Sequence, residues 1–231
     1  MNREAELREE MVRFGRMLHA RGYVAATDGN LSARLDDNTL LATPTGMSKG
    51  MMQPADLVLV DMRGSKKAGQ RHVSSEIGMH LLIYRLRSDV RAVVHAHPVT
   101  ATGFAAAGLA LEQPLCSEVV IALGSVPLAR YGTPGTPELA DALAPLVPEH
   151  DAILMANHGV VTYGDSLLSA YLKMETVEHF AQIALVTHQL GRQQVLGPVE
   201  VEKLREARRR YLENCEPAPE PALPARARGS R

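Results

Sequence analysis

Tryptophan is absent from this 231-residue chain, and other aromatic residues are scarce, with three phenylalanines and six tyrosines. Aliphatic side chains must therefore do most of the packing, and an apolar content of 45% is enough to build a full core. The length allows one large domain or two small ones.

Cysteine is also rare, and no one sign of charge dominates the chain. The two cysteines, Cys116 and Cys215, show no framework spacing, so the fold does not need disulfides and suits a reducing cytosol. Basic and acidic residues number 25 and 26, which leaves no basic field for nucleic acid or an anionic membrane. No apolar run is long enough to span a membrane, and the charged N-terminus is not typical of a signal peptide. We therefore expect a cytoplasmic protein without nucleic-acid or membrane partners.

The hydrophobic pattern predicts an α/β domain. Apolar residues at helical spacing predict helices over 3–20, 76–86, 100–107, 137–146, 166–190 and 199–213. Apolar or alternating runs predict strands over 31–35, 39–43, 57–61, 92–97, 119–123, 126–129, 152–155 and 160–163. Because these strands occur both in hairpins and across helices, we expect a mixed or mostly antiparallel central sheet with helices on both faces, in one domain of residues 1–214. Residues 215–231, rich in Pro, Ala and Arg, are expected to be disordered.

Two histidines stand at the end of a predicted buried strand. In His95-Ala96-His97-Pro98, residues i and i+2 of the strand face the same side, so both imidazoles point together. His158 lies just past a second buried run, in Asn157-His158-Gly159. Three converging neutral imidazoles form a metal site of the His₃ type. The alternative is that these histidines are bonded by carbonyls in the core or at the surface.

Three polar clusters at turns and helix starts are candidate substrate-binding positions, and they include Asn30, Thr45, Gly46, Ser74 and Ser75. The paired serines open a predicted helix, where free N–H groups and the helix dipole favour an anion such as phosphate. For each cluster taken alone, the simpler alternative is helix capping by the serines and an ordinary turn at the other residues.

Glu76 and Lys49 lie beside these clusters. Glu76, in the first turn of the predicted helix, is the best acid/base candidate, because a carboxylate near a divalent metal can move a proton between substrate carbon and solvent. The alternative is that it only compensates the helix dipole. Lys49 could lie near a bound anion, although a solvated loop lysine is the simpler interpretation.

Five motifs in order and at matching spacing resemble the class II aldolase/adducin family, from about residue 5 to residue 213. They are Gly29-Asn30-Leu31-Ser32, Thr43-Pro44-Thr45-Gly46, Ser74-Ser75-Glu76, His95-Ala96-His97-Pro98 and Asn157-His158-Gly159. The resemblance implies the family's three-layer fold and a homotetramer with active sites shared between subunits.

The resemblance also implies roles for individual residues. His95, His97 and His158 match the metal ligands, for zinc or else Mn²⁺ or Co²⁺, and Glu76 matches the catalytic acid/base. The phosphate-binding positions match Asn30, Thr45, Gly46, Ser74 and Ser75. Tyr211 matches a catalytic tyrosine that reaches the neighbouring subunit's site.

The implied reaction is aldol cleavage of a small ketose 1-phosphate, of fuculose or deoxyribulose type, to dihydroxyacetone phosphate and an aldehyde. Within the same family, decarboxylation and sugar-phosphate dehydration remain alternatives, whereas Glu76 after the paired serines argues against the epimerases, which usually carry Asp. A non-enzymatic interaction module is disfavoured because such members lack the histidine set.

The chain departs from the family near residue 118, where Glu118 stands in a segment expected to hold a second tyrosine. Glu118 either faces the metal pocket or is a solvated acid.

Overall fold

The structure is a computed structural model that describes residues 3–214, with side chains described as far as residue 210. The predicted tail of residues 215–231 lies outside the described residues.

Eight strands form one central sheet in the order β4-β3-β2-β1-β5-β8-β7-β6. Their bounds are β1 Asn30–Asp36, β2 Thr39–Ala42, β3 Val58–Asp61, β4 Lys66–Ala68, β5 Ala92–Ala96, β6 Leu128–Ala129, β7 Ala152–Met155 and β8 Gly159–Gly164. Every neighbouring pair is antiparallel except β6 and β7, which are parallel. The predicted mixed, mostly antiparallel sheet is confirmed.

Helices cover both faces of the sheet. Their bounds are α1 Arg3–Ala20, α2 Ile77–Leu86, α3 Val99–Ala106, α4 Ser117–Ala122, α5 Pro137–Leu143, α6 Leu167–Gln189 and α7 Pro198–Asn214. One apolar cluster joins α1, α3, α4 and α6 to one face of the sheet. A second cluster joins α2 and α5 to the opposite face. These two cores make the three-layer α/β architecture, as expected.

The central strand β5 shows how the sheet divides its side chains between the two cores. All five of its residues are buried. Ala92, Val94 and Ala96 pack in the first core, while Val93 packs in the second, on the side of α2. Because alternate residues of a strand face opposite sides, His95 shares the face of Val93. The strand therefore delivers His95 to the layer that contains α2.

One strand prediction was wrong, and another was too long. The apolar run 119–123 lies mostly in helix α4, and only Leu128–Ala129 of the run 126–129 is a strand. Val119, Val120 and Leu123 are buried at helical spacing, and short apolar runs do not distinguish a strand from a buried helix. Strand β4 was not predicted, because its three residues are exposed and carry no hydrophobic pattern.

Within residues 3–214, none of the helices combines the length and the apolar character needed to cross a membrane.

Candidate active site

The end of strand β5 fixes the orientation of the first imidazole. His95 is fully buried, and its Nδ1 lies 2.9 Å from the carbonyl oxygen of Val160 in the neighbouring strand β8. A carbonyl can only accept, so Nδ1 donates and Nε2 keeps its lone pair. A backbone carbonyl of this kind commonly sets the tautomer of a metal-binding histidine.

His95, His97 and His158 converge as the sequence predicts. Their ring centroids lie 4.7 to 5.2 Å apart, and one nitrogen from each ring lies within 4.8 Å of the other two. The Nε2 atoms of His95 and His97 are only 3.1 Å apart. Burial lowers the pKa of both rings, which favours the neutral form that binds metals. The donor set therefore fits a divalent ion with a position left open for substrate.

The turn that carries His158 needs its glycine for space. A Cβ on Gly159 would lie 2.5 Å from Cδ2 of His97 and 2.7 Å from the carbonyl oxygen of Ala96. Asn157, with a φ of 56°, adopts the left-handed conformation that asparagine tolerates better than most residues. The Asn-His-Gly sequence thus turns the chain while leaving room for the ring of His97.

Asp28 lies beside His97, with its Oδ2 3.4 Å from Nδ1 of that ring. A carboxylate at this position can orient the imidazole so that its other nitrogen faces the cluster. Gly29 follows with a φ of +72°, and a Cβ there would lie 2.7 Å from the carbonyl oxygen of His95. Close approach of these two backbones brings Asp28 to the histidines. The sequence places Asp28 in the polar cluster that includes Asn30 but assigns it no role in the site.

Glu76 lies against the imidazole cluster at the N-terminal end of α2, immediately before its first residue rather than in the first turn. Its Oε2 is 3.4 Å from Nε2 of His95, and its Oε1 is 3.2 Å from Nε2 of His158. Oε1 is buried and accepts no hydrogen bond from the described residues, whereas Oε2 accepts one from Nδ2 of Asn30 at 2.7 Å. Burial raises the pKa of this carboxyl, but the imidazoles of His158 and His95 and the Asn30 amide outweigh burial and lower it. Glu76 is therefore ionised at neutral pH, with both oxygens beside the cluster and Oε2 also held by Asn30.

The predicted phosphate-binding segments lie side by side. A β-bridge pairs Pro44 with Val73, and the Thr45 amide donates to the carbonyl oxygen of His72 at 3.0 Å. This pairing brings Thr45 and Gly46 next to the paired serines. Thr45 and Gly46 are exposed, and a Cβ on Gly46 would meet nothing within 4 Å, so the loop surface is open to a ligand.

The two serines differ in their surroundings. Ser74 is buried, and its Oγ accepts a hydrogen bond from the backbone N–H of Glu76, with a distance of 3.3 Å between nitrogen and oxygen. Ser75 is exposed and lines a cleft of about 330 Å³ together with Glu76 and Arg85. Arg85, which no sequence motif marks as a site residue, adds a cation to this cleft.

Asn30, predicted with the phosphate-binding group, has both ends of its amide engaged inside the protein. Its Nδ2 donates to Glu76, and its Oδ1 faces Nε2 of His80 in a short hydrogen bond. His80 was not identified from the sequence, because its position on a helix gives no sign of a partner on strand β1.

Lys49 is not the solvated loop residue that was expected, because only 1% of its surface is exposed. Its Nζ donates to the carbonyl oxygens of Thr27 and Met47, both at 2.7 Å. Burial lowers the pKa of the ammonium group to about 8. Lys49 thus ties the loop after Gly46 to the segment that leads into Asp28.

Glu118 is exposed in the first turn of α4, so the solvated alternative describes it in this chain. Tyr211 falls within α7, but its side chain lies outside the described residues. Helix α7 is attached to α4 by Arg208, which donates to the carbonyl oxygen of Ile121 at 2.8 Å.

The chain is similar to known proteins in both sequence and fold. The family described as Class II Aldolase and Adducin N-terminal domain matches residues 9–185. The 3-oxo-tetronate 4-phosphate decarboxylase of Escherichia coli K12 is 38% identical over 79% of this chain and 88% of that protein. The 5-deoxy-D-ribulose 1-phosphate aldolase of Bacillus thuringiensis serovar kurstaki is 35% identical over 85% of this chain and 92% of that protein. The solved structure of YgbL from Klebsiella pneumoniae superposes with a TM-score of 0.82 at 36% identity, covering 87% of this chain and 99% of that one.

The chain belongs to the class II aldolase and adducin family, which confirms the resemblance drawn from the five motifs.

Proposed function

We propose that this chain is a metal-dependent carbon–carbon lyase that cleaves a small ketose 1-phosphate to dihydroxyacetone phosphate and an aldehyde. The observation that carries the proposal is the position of Glu76, whose two oxygens lie 3.4 and 3.2 Å from Nε2 of two imidazoles of the cluster. A base so close to a metal site can add or remove a proton at the carbon next to a polarised carbonyl.

His95, His97 and His158 would hold the ion, with Zn²⁺ as the first choice and Mn²⁺ or Co²⁺ as alternatives. Imidazole nitrogens are typical ligands of Zn²⁺. When bound, the divalent ion supplies a Lewis acid that withdraws electron density from the substrate carbonyl as the carbon–carbon bond breaks.

The protein's own groups divide the remaining work. Thr45, Gly46, Ser74 and Ser75 would bind the phosphate through hydroxyl and backbone N–H groups, supported by the β-bridge that aligns the two segments. Glu76 would take up a proton from solvent and pass it from Oε1, the oxygen that accepts no hydrogen bond from the described residues, to the enediolate carbon. The substrate hydroxyl that becomes the aldehyde would release a proton to solvent, so the reaction balances.

A second candidate is decarboxylation of a phosphorylated 3-oxo sugar acid. It is supported by the decarboxylase that is 38% identical to this chain. Both reactions leave an enediolate that must be protonated, so the same base and metal site serve either one. They differ in the group that departs, which is an aldehyde in one case and CO₂ in the other.

The test is to offer the metal-loaded enzyme both substrates. Dihydroxyacetone phosphate with a short aldehyde should give a new ketose 1-phosphate, and 3-oxo-tetronate 4-phosphate should release no CO₂. Release of CO₂ without aldol product would replace the first candidate by the second. The variant Ser75→Ala should raise KM for the phosphorylated substrate more than for its unphosphorylated analogue. Ser65→Ala serves as the matched control, because Ser65 is exposed and lies outside the predicted phosphate-binding segments. Equal effects on both substrates would contradict the phosphate assignment.

We further expect a cytoplasmic homotetramer in which Tyr211 of one subunit serves the active site of the next. A closed ring allows every C-terminal helix to reach a neighbouring site. Mixing inactive Glu76→Gln chains with inactive Tyr211→Phe chains should restore activity, since some interfaces then pair two intact residues. A fully active monomer would contradict the shared site.

A further inference from the structure

A row of polar side chains is buried between strand β1 and helix α2, behind Glu76. Asn30, Ser32, His80 and Tyr84 make up this polar row, and each is at most 4% exposed. Asn30 and Ser32 are two residues apart on a strand and share one face, while His80 and Tyr84 are four residues apart on a helix and share another. Glu76 lies four residues before His80, so it continues the row toward the start of the helix. The side chains of the strand face and of the helix face alternate along the row.

Hydrogen bonds connect the polar row into an unbroken chain that ends at the carboxylate. Nδ2 of Asn30 lies 2.7 Å from Oε2 of Glu76, and Oδ1 of Asn30 faces Nε2 of His80. Nδ1 of His80 lies 2.7 Å from Oγ of Ser32, which in turn lies 2.9 Å from the hydroxyl of Tyr84. Four consecutive hydrogen bonds therefore lead from Tyr84 to Glu76.

The chemistry of the end groups fixes the direction of every bond. An ionised carboxylate only accepts, so the amide nitrogen of Asn30 must face it and the amide oxygen must face His80. His80 therefore donates from Nε2 and accepts at Nδ1, which requires Ser32 to donate to the ring. The Ser32 oxygen is then left to accept from Tyr84. All four donors are aligned toward Glu76, and hydrogen bonds aligned in this way strengthen one another.

His80 can keep this role because it stays neutral. Its complete burial lowers its pKa to about 4. A neutral ring has one donor and one acceptor, which matches the two bonds that the ring makes.

We infer that the polar row positions the Glu76 carboxylate for catalysis, with His80 held as the Nε2–H tautomer by Ser32 and Tyr84. This inference rests on the proposed function, because it assigns positioning residues to the acid/base group of that reaction. Reversing the Asn30 amide would place its oxygen 2.7 Å from Oε2 of Glu76, and both atoms are acceptors. Because the Nε2–H of His80 holds the Asn30 oxygen on its own side, the tautomer of His80 determines how the carboxylate is held.

The kinetic test compares two substitutions of the same shape at Ser32. Ser32→Thr keeps the hydroxyl donor, whereas Ser32→Val replaces it by a methyl group, so any packing strain is common to both. We expect kcat of the Val variant to fall about tenfold below that of the Thr variant, with KM within about twofold, which is the scale of one lost hydrogen bond. Metal content should be equal in both. Equal kcat values would overturn the inference.

A second pair separates positioning from general stability. Tyr84 and Tyr163 are both buried tyrosines of the core that contains α2, and the hydroxyl of Tyr163 donates to backbone carbonyls instead of the polar row. Tyr84→Phe should lower kcat severalfold, and Tyr163→Phe should leave kcat unchanged at a temperature where both variants are folded. Unchanged kcat in both would contradict a catalytic role for the polar row.

Nuclear magnetic resonance tests the bond directions without any substrate. In protein labelled with ¹⁵N-histidine, the His80 signal, assigned by its loss in His80→Gln, should show the Nε2–H tautomer. The side-chain amide signal of Asn30 should move in Ser32→Val and return toward its wild-type position in Ser32→Thr. An Nδ1–H tautomer of His80, or an Asn30 signal that does not move, would overturn the inference. These readouts need no turnover, so a wild-type chain without lyase activity would count only against the proposed function.

Discussion

The glycine after His158 offers the most direct test of how the metal site is built. In Gly159→Ala the new methyl group would lie 2.5 Å from Cδ2 of His97, 2.7 Å from the carbonyl oxygen of Ala96 and 3.3 Å from Cε1 of His95. The first two distances are shorter than a Cβ tolerates, and one of the atoms is backbone. The φ of Gly159 is not in the left-handed region, so the penalty is steric.

The expected magnitude follows from these contacts. Overpacking of a filled core costs about 1–3 kcal/mol. Part of that strain should be relieved by displacing the ring of His97, because its Cδ2 is the atom nearest to the new methyl group. Disturbing the support of a ligand typically weakens metal binding by about 10- to 100-fold. We therefore expect lower stability in urea unfolding together with weaker binding of Zn²⁺ in competition with a chromogenic chelator.

The matched control is Gly103→Ala, at a helical glycine of α3 where a Cβ would meet nothing within 4 Å. Alanine favours a helix over glycine by up to about 1 kcal/mol, so this variant should be as stable as the wild type or more stable, with unchanged metal affinity. If Gly159→Ala bound Zn²⁺ as tightly as Gly103→Ala, the proposed arrangement of His97 around the ion would be refuted.

Three further predictions address the site and its surroundings. Replacing His95 and His97 together by Ala should reduce the metal content from about one divalent ion per chain to none, and an unchanged content would remove both from the ligand set. Glu76→Gln should keep the metal but lose turnover by about 10²-fold or more. If this variant exchanged tritium at the donor carbon of dihydroxyacetone phosphate at the wild-type rate, Glu76 would be excluded as the base. His80 has a folded-state pKa of about 4, below its ordinary value, so the unfolded chain binds more protons and stability falls as the pH falls. Between pH 7.5 and 5 the metal-free wild type should lose about 2 kcal/mol more unfolding free energy than His80→Gln, and parallel pH profiles in urea unfolding would contradict this.

Much of the fold could be predicted because most elements carry a clear period. Helix α1 and the hairpin of β1 and β2 lie within a residue or so of their predicted bounds, since α1 carries apolar residues at helical spacing and the turn residues Asp37 and Asn38 separate the two strands. The run 119–123 failed for a physical reason. Five apolar residues fit a strand or one and a half helical turns, and packing against the rest of the first core decides between them.

The candidate site could be predicted where its residues are local, and could not where they depend on long-range pairing. His95, His97 and His158 stand at strand ends that the apolar runs identify, and the structure brings their rings together. The burial of Lys49 left no sequence signal, because its two carbonyl partners belong to turns whose relative placement only the folded chain specifies. His80 escaped notice for a similar reason, since a histidine on the buried face of a helix is ordinary until its partners on β1 are known.

The geometry of the polar row explains why strand β1 and helix α2 can share one hydrogen-bonded chain. Two residues of a strand advance about 6.8 Å, and four residues of a helix advance about 6.0 Å. The two repeats differ by less than 1 Å at each step, so side chains from each element can interleave for a few steps before they fall out of register. The row ends at Tyr84. The next strand residue on this face, Arg34, donates to the backbone carbonyl of Tyr84 at 2.6 Å instead of joining the side chains. Polar residues spaced two apart on a strand, opposite polar residues spaced four apart on a helix, are therefore a sequence pattern that can support a carboxylate from within a core.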